Sequence, residues 1–78
     1  MSVEERARKI VVTQCQVAAG EVKLTSKFID DFGADSLALV ELVMAIEREF
    51  DITMPDIDAL KIKTFGELVK YIEQVPHN

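Results

Sequence analysis

The chain has 78 residues, 49% of them hydrophobic and 29% charged, with only three Gly and two Pro. That length makes one domain, residues 1–78, and the composition is too apolar for a disordered chain. A formal net charge of -5 disfavours a nucleic-acid surface, which needs Lys and Arg against phosphates.

The lone Cys15 excludes an internal disulfide and a multi-cysteine metal site. No apolar run reaches the length of a membrane span, so no membrane insertion is expected. The opening MSVEERARK lacks the basic-then-apolar order of a secretory signal, position 2 is not Gly, and the tail is PHN. The expectation is a small soluble protein of a reducing compartment. Nothing points to oligomerisation, and a monomer is expected.

In chain order, Val3 to about Val17 reads as an amphipathic helix. Val3, Ala7, Ile10, Val11 and Cys15 recur at helical spacing, Ser2 can cap the start, and Glu4 and Glu5 suit the positive end of the dipole. Cys15 falls near the apolar arc and reads as a small core residue. From Ala18 to Asp35 the periodicity fails. Gly20, Gly33 and a Thr25-Ser26 pair mark turns, and Phe28, Ile29 and Phe32 suggest that this long connection is packed down by its own apolar side chains.

Ser36 to about Phe50 is the second helix. At about 100° per residue, Leu39, Leu42, Val43, Ile46 and Phe50 share one arc, a sufficient core face. Leu37, Val40 and Met44 form a second apolar strip outside it, bordered by Glu41, Glu47 and Asp51. Pattern alone leaves open whether this chain or a partner covers that strip. Pro55, Asp56 and Asp58 open a short helix that Ile57, Leu60 and Ile62 support. Thr64 and Glu67 fit a capping box for the last helix; Phe65, Leu68, Val69, Ile72 and Val75 keep its period, and Pro76 stops it. No segment alternates with period 2. The expected fold is all-α, a four-helix bundle of three main helices, one short helix and a long ordered first loop.

The charge is unevenly spread. Asp30, Asp31, Asp35, Glu41, Glu47, Glu49, Asp51, Asp56 and Asp58 face the single Arg48, so that segment carries -8 and the remainder +3. Such a face is either simply solvated or a docking surface for basic partners.

Catalytic chemistry finds no residues. His77 is the only His and lies in a tail expected to fray. Ser36 lacks the G-x-S-x-G elbow, and Cys15 has no evident activating partner. Asp30 and Glu41 stand at positions 1 and 12 of a calcium loop, but Phe32 and Ala34 occupy its ligand positions 3 and 5. Phosphate-cradling glycine loops are also missing.

What remains is Ser36, for which the plain reading is a helix N-cap. The run GADSL (Gly33 to Leu37), followed by LVELVMAIEREFDITMPD (Leu39 to Asp56), resembles the modification site and second helix of acyl carrier proteins. The likeness is closest to the free-standing proteins of fatty-acid synthesis. It covers nearly the whole chain, including DDFGADSL in the first loop and the closing KIKT-helix pattern.

The resemblance implies that Ser36, flanked by Asp35 and Leu37, carries 4'-phosphopantetheine through a phosphodiester. A phosphopantetheinyl transferase would install it from coenzyme A with magnesium. The arm's terminal thiol would hold acyl groups as thioesters, which fatty-acid synthase enzymes with basic docking patches receive in turn. The residues suit that role: a phosphodiester at a helix N-terminus meets unpaired N–H groups and a positive dipole end, and Gly33 allows a sharp approach.

The likeness also makes Leu37, Val40 and Met44 a contact face, with Asp35, Glu41 and Glu47 as its acidic rim. Phe28, Leu42, Ile46, Ala59, Ile62, Leu68 and Ile72 are core by spacing, and the resemblance implies that they part to admit acyl chains. Ala38 and Arg48 depart from the family pattern, where acids are common, and weaken the rim. The expectation is a non-catalytic carrier in the cytoplasm, or in an organelle matrix as a mature chain. The alternatives are a specialised polyketide-type carrier and a non-catalytic interaction subunit of a larger complex.

Overall fold

A computed structural model describes residues 2–75 of the chain. Four helices follow in order: α1 (Val3–Cys15), α2 (Ser36–Phe50), α3 (Asp56–Ala59) and α4 (Phe65–Gln74), with a 3-10 turn at Ala19–Glu21. The all-α expectation holds among these residues. The nearest approach to a sheet is one isolated antiparallel bridge between Lys27 and Thr64.

Local chemistry sets the helix ends. The Ser2 hydroxyl accepts from the Glu5 amide at 3.1 Å and so caps α1. That helix stops at Cys15, two residues before the expected end, because Gln16 turns into the left-handed region at φ 56°. At α4 the capping box forms in full: the Thr64 hydroxyl accepts from the Glu67 amide at 3.1 Å, and Glu67 accepts from the Thr64 amide at 3.0 Å. The Lys63 amide, followed by the Thr64 hydroxyl and amide, holds the Glu67 carboxyl below its ordinary pKa. Pro76 and His77 lie outside the described residues.

The core is where α1, α2 and α4 meet. Ala7 and Val11 face Leu42, Ile46 and Phe50 from α2 and Phe65, Leu68, Val69 and Ile72 from α4, all buried. Two arginines of α1 fasten it from outside. Arg6 donates to the Glu49 carboxylate and to the Glu49 carbonyl, both at 2.9 Å, with its guanidinium 4.4 Å from the centre of the Phe50 ring. It thereby serves one of the unpaired carbonyls at the end of α2. Arg8 reaches the Val22 carbonyl at 3.2 Å and lies 5.4 Å from the Phe65 ring centre.

The long first loop is ordered because it is bonded to the start of α4. Phe28 donates to the Lys63 carbonyl at 3.1 Å, Phe65 to the Ser26 carbonyl at 2.9 Å and Gly66 to the Leu24 carbonyl at 2.8 Å. Buried Ser26 folds the loop on itself, its hydroxyl accepting from the Lys23 amide and donating to the Glu21 carbonyl. Phe28 is buried and Phe32 packs beside it with ring centres 6.2 Å apart, as expected. Ile29 is exposed, contrary to expectation: the helical turn closed by the Asp31 amide on the Lys27 carbonyl puts Phe28 and Phe32 on one face and leaves Ile29 off it. Ile57 and Leu60 of the α3 region are also exposed, since α3 is too short to present a full apolar face to the core. Leu39 and Val43 are half-buried at the edges of the α2 core arc.

Gly66 is demanded by the same junction, for a Cβ there would stand 2.7 Å from the Leu24 carbonyl oxygen. Gly66→Ala therefore improves helix propensity but forces the loop away from α4. A net loss of about 1–3 kcal/mol is expected, read from urea unfolding midpoints. Gly20→Ala, where nothing stands within 4 Å, should change little.

Candidate functional site

The turn from Phe28 to Ala34 aims the start of α2. Asp31 accepts from the Lys27 amide at 2.7 Å, Ala34 donates back to the Phe28 carbonyl at 3.0 Å, and Gly33 takes φ 66°. Ala34 is buried and seats the turn against the core, while Asp35 and Ser36 emerge into solvent.

Asp35, and not Ser36, is the N-cap. Its carboxylate accepts from the Ala38 amide at 2.8 Å, and its carbonyl begins the helix ladder at Leu39. The plain reading of Ser36 as a cap is therefore corrected: Asp35 takes the extended cap conformation, and Ser36 is already the first helical residue. Its exposed hydroxyl has no hydrogen-bond partner among the described residues, and neither do the Ser36 and Leu37 amides. A free oxygen thus stands beside two N–H groups at the positive end of a 15-residue helix. This fits a phosphodiester on Ser36.

Asp35→Ala should cost about 1 kcal/mol, because the amide that Asp35 satisfies would be left to solvent. Thermal melting checks this, with Asp35→Asn expected to recover most of the loss.

Below Ser36 opens a cleft of about 960 Å³ between α2, the α3 region and the first loop. Phe28, Leu42, Ala59, Ile62 and Leu68 line it, five of the seven residues expected to part for a chain. Ile46 and Ile72 do not. Both are fully buried, and they belong to the core where α1 meets α2 and α4. Leu39, Val43 and Met54 line the cleft too, although sequence periodicity assigned the first two simply to the core and left Met54 unassigned. For Leu39 and Val43 the available signal was the pair of apolar runs on either side of Glu41 in α2, wider than one core face needs; Met54, beyond the helix, had none. The cleft also touches Ser36, Val40 and Met44, so the free hydroxyl stands at its mouth.

The second apolar strip of α2 is uncovered by this chain. Leu37, Val40 and Met44 are 66%, 54% and 51% exposed, which decides against an internal role. Of the acids beside it, Glu41 is exposed and makes no ion pair among the described residues. Glu47 is half-buried and accepts from the Met54 amide at 2.7 Å, so it also anchors the segment leading into α3. Tyr71 of α4 fastens the other side of that segment by donating to Asp58 at 2.9 Å. Burial, then that hydrogen bond and the charges of Asp58 and Glu47, push its phenol above the ordinary pKa.

Cys15 is half-buried, and burial pushes its thiol up, which keeps it protonated and unreactive. Among the described residues no three His, Cys, Asp or Glu side chains are grouped to hold a metal ion. No described helix is long and apolar enough to cross a membrane.

A family model described as a phosphopantetheine attachment site matches residues 5–72. The acyl carrier protein of Clostridium acetobutylicum is 51% identical over 71 residues, which cover 91% of this chain and 92% of that relative.

Proposed function

The chain belongs to the acyl carrier protein family, whose members carry acyl groups and do not catalyse, and we propose that Ser36 is the residue bearing its 4'-phosphopantetheine. The usual setting of the family is fatty-acid synthesis, with a phosphopantetheinyl transferase and the synthetic enzymes as its partners. When bound, the group supplies a terminal thiol that holds acyl chains as thioesters.

The observation that supports Ser36 is its free, exposed hydroxyl at the head of α2, beside unoccupied amides and at the mouth of an apolar cleft. Asp35 contributes by capping the helix, which leaves Ser36 out of the capping bond, and Leu37 forms the apolar collar next to it. In this reading Phe28, Leu42, Ala59, Ile62 and Leu68 shelter an acyl chain. No described histidine or ionised thiol stands by to attack a thioester. The same reading includes a single carrier domain acting as a monomer in the cytoplasm, a setting supported by a lone cysteine that can form no internal disulfide. The test is intact mass after incubation with coenzyme A, magnesium and a phosphopantetheinyl transferase. One added arm is expected, and no gain would refute the assignment.

Leu37, Val40, Glu41 and Met44 form the proposed docking face, with Glu47 sharing its carboxylate between that face and Met54. Met44→Ala should weaken transfer to partner enzymes about tenfold while leaving stability within about 0.5 kcal/mol, because half the side chain is already in water. Glu41→Lys should weaken transfer too, and added salt should weaken the native pair. Enzyme assays and melting curves on the same samples check both. A loss of several kcal/mol in Met44→Ala would mean that the strip is internal.

A further inference from the structure

The uncovered face of α2 carries a cation among its acids. At about 100° per residue, Leu37, Glu41, Met44 and Arg48 fall within about 60° of one another around the axis. Arg48 is therefore on the apolar strip, not beside it. It is exposed and makes no ion pair among the described residues, whereas Arg6 bridges to Glu49 and Arg8 to Glu4. It is also the one base between Asp30 and Asp58. A cation in the last turn of α2 complements the helix dipole, but that would be served equally from any face of the turn. Its position on the exposed strip is what the dipole leaves unexplained.

Glu41 and Arg48 stand about 10 Å apart along the axis, seven residues at a rise of about 1.5 Å each, with Met44 between them. We propose that the partner surfaces fitting this face carry the complementary order: a cation against Glu41, an apolar recess for Met44, and a carboxylate against Arg48. The proposal rests on the docking reading above and adds a direction to it. A helix acidic along its whole length attracts a basic surface in either orientation, while one with a cation near its end aligns one way only. Arginine suits the place because its planar fork grips a carboxylate with two bonds. A second copy of this chain, with α2 antiparallel, could also match Glu41 to Arg48. Two segments of charge -8 would then meet, which favours a partner of opposite field.

The probe is the phosphopantetheinyl transferase from the same genome, with KM for the carrier as the reading. Arg48→Glu should raise KM about tenfold, Arg48→Lys less, and reversal of the facing carboxylate on the transferase should restore Arg48→Glu. Melting curves run alongside, since a merely structural Arg48 would lower the melting temperature and leave KM unmoved. If Glu41→Lys and Met44→Ala raise KM but Arg48→Glu does not, the charge order is wrong and the docking face survives. If none of the three raises KM, the docking face itself fails, and the charge order with it. A wild-type dimer in sedimentation that Arg48→Glu dissolves would make the occupant a second copy and overturn the proposal.

Discussion

Ser36→Ala should abolish attachment of the arm completely while leaving the fold as stable as before, within about 0.5 kcal/mol. The separation of the two effects follows from the cap. Asp35 satisfies the first-turn amide, so the Ser36 hydroxyl bears no bond that holds α2, and alanine is a good helix former at the position it vacates. The other serines cannot substitute. Ser2 is committed to the Glu5 amide and carboxylate, and Ser26 is buried between Lys23 and Glu21. Intact mass and melting curves on wild type and variant read both halves. An arm on the variant would mean a different anchor, and a large fall in stability would mean that the hydroxyl is structural after all.

Phe65→Ala should cost about 3–5 kcal/mol, a large share of the roughly 5–15 kcal/mol typical of a whole domain. Phe65 is fully buried at the first turn of α4. Its amide holds the first loop through Ser26, and Arg8 lies over its ring. Truncation leaves a cavity where α1, α4 and that loop converge, and a small domain has little other core to redistribute. Urea unfolding should show the midpoint falling sharply, with Leu60→Ala, on an exposed side chain, as the near-neutral control. Similar losses in the two variants would show that α4 is not the anchor of the loop. Carrier function should fail in Phe65→Ala through unfolding, in contrast to Ser36→Ala, which loses function while folded.

Much of the fold was legible because its signals are local. The capping box at Thr64 and Glu67 and the Ser2 cap each join residues three apart in the chain, and both appear as read. The limits of α2 match their expectation at both ends, and α1 ends early only because Gln16 adopts a left-handed turn that nothing in its side chain announces. The candidate anchor was legible through its motif, but its chemical freedom was not. Two neighbouring residues can cap a helix, and the turn through Gly33 and Ala34 decides which one lies in the extended cap conformation.

By itself, the sequence determined which stretches are helical, which face of each is apolar, where the acids gather, and which serine stands in the run that resembles the family's attachment motif. All of these depend on neighbours within a turn or two. Only the tertiary structure decided that the Leu37–Val40–Met44 strip stays uncovered, that Ile46 and Ile72 are core and not cleft, and that Glu47 anchors the Met54 amide. It also showed why Gly66 has no room for a side chain. The physical reason is that burial and close approach are set by what crosses from another part of the chain. A periodic pattern states only that a face is apolar, and leaves unsaid what meets it.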